Sequence, residues 1–162
     1  METRIYLTNL AKYNEGVLKG EWLDLPMFED ELQEALDRIL GDDEEYFITD
    51  YEAPFDIDEH DNLSELNEFC EELERLHDTE QACVLFLIAE IGCTRDGALR
   101  DYQDVIFYEG MTLTQVAEEF VDDGLFGDVS DNLKMYIDYG AVGRDLEMDG
   151  YHETDKGVFC YR

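Results

Sequence analysis

Basic residues are scarce in this chain of 162 residues. Eleven Lys plus Arg stand against 43 Asp plus Glu, a formal charge of −32. A phosphate backbone is bound by neutralising it with Lys and Arg, so this balance excludes direct nucleic-acid binding and docking of a basic cluster on an anionic membrane. Proline is rare, at 2. Long apolar runs are missing too: the longest, Ala82 to Ala89, breaks at Glu90, well short of the roughly 18–20 residues of a membrane span. The opening METRIYLTNL lacks a basic segment followed by an apolar stretch, so no secretion signal is expected and the location reads as cytoplasmic. Cys70, Cys83, Cys93 and Cys160 form no CxxC pair and have no accompanying His cluster; reduced, mostly buried thiols are expected.

Chemistry-bearing motifs are equally sparse. There is no GxSxG, GxGxxG or Walker-type loop, so neither a nucleophile elbow nor a phosphate cradle is supported. Nothing ties His60, His77 or His152 to a particular Ser or Cys. Paired carboxylates occur everywhere by composition, so the DDEE run at Asp42 to Glu45 identifies no acid/base couple. Asp145, Glu147, Asp149 and Gly150 approximate the start of a calcium loop, but its twelfth position is Lys156, where a bidentate Glu is needed. No catalytic, cofactor-binding or metal residue is assigned, and the chain does not read as an enzyme.

What is present is the means to fold. Hydrophobic residues make up 44% and aromatics 12%, unlike a disordered acidic tail. Residues 21–80 hold 24 acids against Arg38 and Arg75, with apolar residues throughout, which places charge on the outside of folded elements. The opening reads as a hairpin turning at Tyr13 to Gly16, with Val17 to Leu25 as its second arm. Phe28, Leu32, Ala35, Leu36 and Ile39 have helical spacing, ended by Gly41, and Tyr46 to Tyr51 reads as a strand. Asn62 with Glu65 suggests a reciprocal cap before the stripe Leu66, Phe69, Cys70, Leu73 and Leu76. Asp78 is placed to cap an apolar helix from Gln81 to Ile91, stopped by Gly92. Asp104 to Tyr108 is strand-like, and Thr112 with Gln115 offers a capping box. Ser130 can start a further helix through Leu133, Tyr136 and Ile137; whether it passes Gly140 and Gly143 is left open. Tyr151 to Tyr161 suggests a hairpin turning at Asp155 to Gly157. The expected fold class is α+β: an elongated chain of three small units with an acidic surface, divided as 1–61, 62–103 and 104–162.

Charge on that scale can itself be a function. Duplex DNA carries one negative charge per about 1.7 Å, so 32 charges match those on roughly 16 base pairs. Carboxylates fixed at helix-neighbour spacing could occupy a cationic DNA-binding groove.

The blocks IYLTNLAKYNEGVLKGEWLDLP, YFITDYEAPFDIDEHDNLSELNE and LFGDVSDNLKMYIDYGAVGRDLEMDG resemble the ArdA antirestriction proteins, in order across nearly the whole chain. Glu71 to Arg100 matches least well. The resemblance implies an elongated, curved α/β protein that dimerises and imitates bent duplex DNA. It further implies carriage on mobile genetic elements and occupation of the DNA groove of type I restriction–modification enzymes, on their methyltransferase core. Restriction is then blocked, and sometimes modification. Leu125 to Leu146 resembles the antirestriction motif associated with the dimer contact; Leu125, Phe126, Leu133, Tyr136, Ile137, Asp138, Tyr139, Arg144, Asp145 and Leu146 are its candidates, although its apolar members could equally be core.

Three acidic stretches supply the phosphate-mimic candidates. The first holds Asp42, Asp43, Glu44, Glu45, Asp56, Asp58 and Glu59. The second is the helical set Glu65, Glu68 and Glu72. The third is Glu118, Glu119, Asp122 and Asp123. A different class of function fits the same charge: an acidic binding module or chaperone for basic DNA-binding proteins.

Overall fold

The computed structural model describes residues 2–162 and contains mixed α and β structure. The chain packs as two compact units, one ending at His77 and the other spanning Asp78–Arg162. The 62–103 stretch is therefore shared between them, its first helix lying in one unit and the remainder in the other.

The first unit is built on β1 (Thr3–Asn9), β2 (Gly20–Leu25) and β3 (Tyr46–Glu52), antiparallel in the order β2-β1-β3. The connection from β1 to β2 is not the expected tight turn. Asn9 caps a helical turn, α1 (Leu10–Asn14), accepting the Lys12 N–H at 2.9 Å, so the second arm begins only at Gly20. A local side-chain cap here outcompetes the hairpin turn that Asn14-Glu15-Gly16 suggested.

Helix α2 (Glu29–Leu40) buries Leu32, Ala35 and Ile39. Its N-cap is Phe28, whose side chain makes no cap hydrogen bond, although a Ser, Thr, Asp or Asn there is worth about 1 kcal/mol. Three acids in the first turn, Glu29, Asp30 and Glu31, partly offset this through the helix dipole. Helix α3 (Leu63–Arg75) is capped by Asn62, which accepts the Glu65 N–H at 3.0 Å. Phe69 of α3 meets Phe55 edge-on at 5.0 Å. The amide of Asn67 on α3 is buried and bonds the backbone of Met27 both ways, at 2.8 and 2.9 Å.

The second unit opens with α4 (Asp78–Phe86), which starts at Asp78 itself and continues as a π-helical turn, Leu87–Ile91, closed by Gly92 in the left-handed region. After α5 (Arg95–Asp101) come β4 (Ile106–Glu109) and α6 (Leu113–Asp122). The expected capping box is present: Thr112 accepts from Gln115 N–H at 3.2 Å, and the Gln115 side chain accepts from Thr112 N–H at 2.9 Å. The helix expected from Ser130 stops early as α7 (Asp131–Lys134). A separate helix, α8 (Tyr139–Met148), does run through both glycines. Gly143 explains why: a Cβ there would lie 3.2 Å from the Leu113 carbonyl carbon, so the missing side chain lets α8 approach α6 closely.

The terminal hairpin, β5 (Tyr151–Thr154) and β6 (Gly157–Cys160), forms with β4 a sheet ordered β4-β6-β5. Central strand β6 is buried at every residue because both its faces are covered. Val158 and Cys160 pack with Val116, Phe120 and Leu146 from α6 and α8. On the opposite face the Phe159 ring is stacked between Phe86 and Phe107, with centroid separations of 4.6 and 4.2 Å.

Among the described residues no disulfide joins the four cysteines; Cys70, Cys83 and Cys160 are buried and Cys93 is half-buried. Burial, aided by Glu80, pushes the Cys83 thiol up to about 11. Its folded-state value is raised, so the neutral thiol favours folding and that contribution fades as pH climbs through about 9 toward 11. With about a thousandth of Cys83 ionised at pH 8, a thiol reagent is expected to label Cys93 in the native protein and Cys83 only in denaturant. Rapid native labelling of Cys83 would contradict this packing.

Candidate functional site

None of the 43 acidic residues is buried; 38 are exposed and Glu21, Asp43, Asp61, Glu80 and Asp101 are half-buried. The placement follows from the patterning. In Phe55-Asp56-Ile57-Asp58-Glu59, Phe55 and Ile57 are buried anchors and the acids between and after them face water. On α3, Leu66, Phe69, Cys70 and Leu73 are buried while Glu65, Glu68 and Glu72 are exposed, at the three- and four-residue spacing that sets helix neighbours about 5–6 Å apart. On α6 the same split separates Val116, Ala117, Phe120 and Val121 from Glu118, Glu119 and Asp122.

Several candidates carry local structure as well as charge. Asp43 is the half-buried one of the fourteen: it accepts from Asn9 Nδ2 at 3.0 Å, and the same amide nitrogen reaches the Ile39 and Leu40 carbonyls at the end of α2. Asp42, Glu44 and Glu45 beside it are exposed. Asp58 accepts the His60 N–H at 2.8 Å, and Asp56 accepts from the Tyr51 hydroxyl at 3.3 Å. Glu59 lies 3.5 Å from His60 Nε2. Asp122 is 3.1 Å from Lys134 Nζ, which also reaches Asp131 at 3.6 Å; these two carboxylates hold the Lys134 ammonium in its charged form to higher pH than usual. Asp123 closes α6, its N–H bonding to Glu119 O at 2.8 Å.

The 125–146 stretch divides into two kinds of residue. Leu125, Phe126, Leu133 and Tyr136 are exposed, at 66, 57, 59 and 80%, with Met135 beside them. Ile137 and Tyr139 are half-buried, and Arg144 and Asp145 are exposed. Asp138 caps α8 by accepting the Ala141 N–H at 3.0 Å. Leu146 is different: it is buried in the core between α6 and the sheet.

Asp145, Glu147 and Asp149 lie along α8 and at its end, so the calcium-loop likeness is a helix, which cannot wrap an ion. Among the described residues no group of three His, Cys, Asp or Glu is arranged to hold a metal, and no helix is long and apolar enough to cross a membrane.

A model of the antirestriction protein family ArdA matches residues 5–160. The chain belongs to the ArdA antirestriction family. No relative among curated proteins matches it. Membership makes this an antirestriction protein of a non-catalytic family, whose general target is restriction enzymes. The match runs through 71–100 without a break and takes in nearly all of both units of this ArdA protein.

Proposed function

We propose that this ArdA protein acts by imitating bent duplex DNA, occupying the DNA-binding groove of type I restriction–modification enzymes on their methyltransferase core. Restriction, and with it modification where the same groove serves both, is then blocked by exclusion. The observation that carries the reading is the complete exposure bias of the acids: none of the 43 is buried, and those on α3 and α6 are spaced by the helix itself. Charges held by a folded scaffold lose little conformational freedom on binding, which a flexible acidic tail would lose in full. The phosphate-equivalent positions on this reading are the members of the three acidic stretches other than Asp43, which is half-buried, and Asp122, which is exposed but paired with Lys134; these two serve the scaffold.

We further propose that two copies associate through Leu125, Phe126, Leu133 and Tyr136. These four large apolar side chains, left exposed within residues 125–136, fit a surface reserved for a partner rather than for the core. Each copy carries −32, so burial of these side chains has to outweigh repulsion, and added salt is expected to strengthen the pair. Tyr136→Glu should convert dimer to monomer by analytical ultracentrifugation at 0.15 M salt, with the far-UV spectrum of the folded chain unchanged and a thermal midpoint that no longer depends on protein concentration. A wild-type monomer at all accessible concentrations would remove the proposal.

The decisive test of groove occupation is competition. Purified protein is titrated against labelled DNA bound to a type I methyltransferase core at several salt concentrations. Near-stoichiometric displacement that weakens steeply with salt is expected. Failure to displace DNA at low salt ends the reading. The salt responses of partner binding and self-association thus have opposite signs.

A further inference from the structure

We propose that the groove between the start of α2 and the face of α3 receives an arginine side chain presented by a basic protein segment. This goes beyond groove mimicry and does not rest on it, because the contact can be read without a restriction enzyme. The groove has a volume of about 540 Å³, and Pro26, Met27, Phe28 and Leu32 supply its apolar lining. That size admits a side chain together with part of the segment that carries it.

Phe28 is the informative residue. It is 80% exposed, at a helix start where its ring gives the fold no cap hydrogen bond. A single exposed apolar side chain is ordinary. One that displaces a capping residue and lines a groove is not accounted for by folding. Its position is also fixed: the two-way bond between Asn67 and the Met27 backbone clamps the preceding residue to α3. The backbone that presents Phe28 to the groove is thus anchored without depending on a partner.

Charge selects the occupant. Glu29, Glu31, Glu68, Glu71 and Glu74 line the same groove, and no Lys or Arg does. Glu71 is engaged by Arg75 at 2.7 Å, which leaves the groove strongly anionic. A guanidinium is flat and weakly hydrated; it can stack on an aromatic face while its edge donates to carboxylates. An ammonium is compact and keeps its water, so it gains less from the ring.

The probe is a synthetic octapeptide of alternating Arg and Gly, with its Lys counterpart, titrated into the 15N-labelled full chain. The Asn67 side-chain amide and the Phe28 and Glu29 backbone amides should shift first. The Arg peptide should bind at least threefold more tightly than the Lys peptide. Phe28→Asn should weaken the Arg peptide fivefold or more and erase the Arg-over-Lys difference, while its new capping side chain holds or raises the thermal midpoint. Unchanged affinity in Phe28→Asn overturns the proposal. So do shifts spread evenly over every acidic face, which would mean diffuse attraction. Concentration-dependent shifts of Phe28 without peptide would assign the groove to a second copy and overturn it as well.

Discussion

Replacing Asp42, Glu44, Glu45, Glu65, Glu68 and Glu72 together by their amides should weaken displacement of DNA from a type I methyltransferase core by roughly 30- to 150-fold. All six are exposed, and an exposed charge facing a cation contributes about 0.3–0.5 kcal/mol, so six contribute about 2–3 kcal/mol. Any one of them alone should cost about twofold, since its neighbours maintain the field. The loss cannot be attributed to unfolding. Removing six of 43 acids from a chain of charge −32 relieves self-repulsion, and the thermal midpoint should rise. A second sixfold variant at exposed acids outside the three stretches, Glu15, Glu90, Asp96, Asp104, Glu109 and Asp155, separates placement from total charge. If it does equal damage, a diffuse field replaces a placed track. If neither variant weakens displacement, charge does not carry the inhibition.

How much of this was legible in the sequence depended on how local the deciding interactions are. The α6 capping box, the apolar stripes of α2 and α3, strand β3 and the closing hairpin are all set within a few residues, and periodicity with cap chemistry located them. The α1 turn was missed although Asn9 was in plain view. Asn9 commits to capping because its own amide is anchored thirty residues away at Ile39, and no window of the sequence contains that bond. The same non-locality hid the roles of Asp43 and Asp122, which look like ordinary members of acidic runs until Asn9 and Lys134 are folded beside them. Leu146 could be core or interface on spacing alone; only the packing of α8 on α6 through Gly143 resolves it. The Phe28 groove left one trace in the sequence, an aromatic where a helix start wants a polar cap, and Phe28 was instead counted in the apolar stripe of α2.

A single methyl group at Gly157 should strongly destabilise the second unit while leaving the first intact. Gly157 opens β6 with φ at +143°, a conformation an L side chain enters at a cost of about 1–3 kcal/mol. A Cβ there would also collide with the Tyr108 carbonyl oxygen and press on Gly110 N at 2.9 Å and the Phe107 ring at 3.0 Å. Two of those obstacles are backbone of the paired strand and its turn, which cannot swing aside as a side chain can. Together the terms amount to about 3–5 kcal/mol. A globular unit the size of Asp78–Arg162 has only roughly 4–13 kcal/mol in total, so Gly157→Ala should remove roughly a quarter or more of it. The central strand is the one that both helical layers pack on, and its loss takes the unit with it. Trp22, the sole tryptophan, lies on β2 in the first unit and supplies an independent probe. Its fluorescence melt should stay within about 2 °C of wild type, whereas the far-UV signal should lose a large part of its amplitude at least 10 °C earlier. Coincident shifts of both signals would mean that the two units unfold as one cooperative body, and the division at His77 would then describe packing density without describing stability.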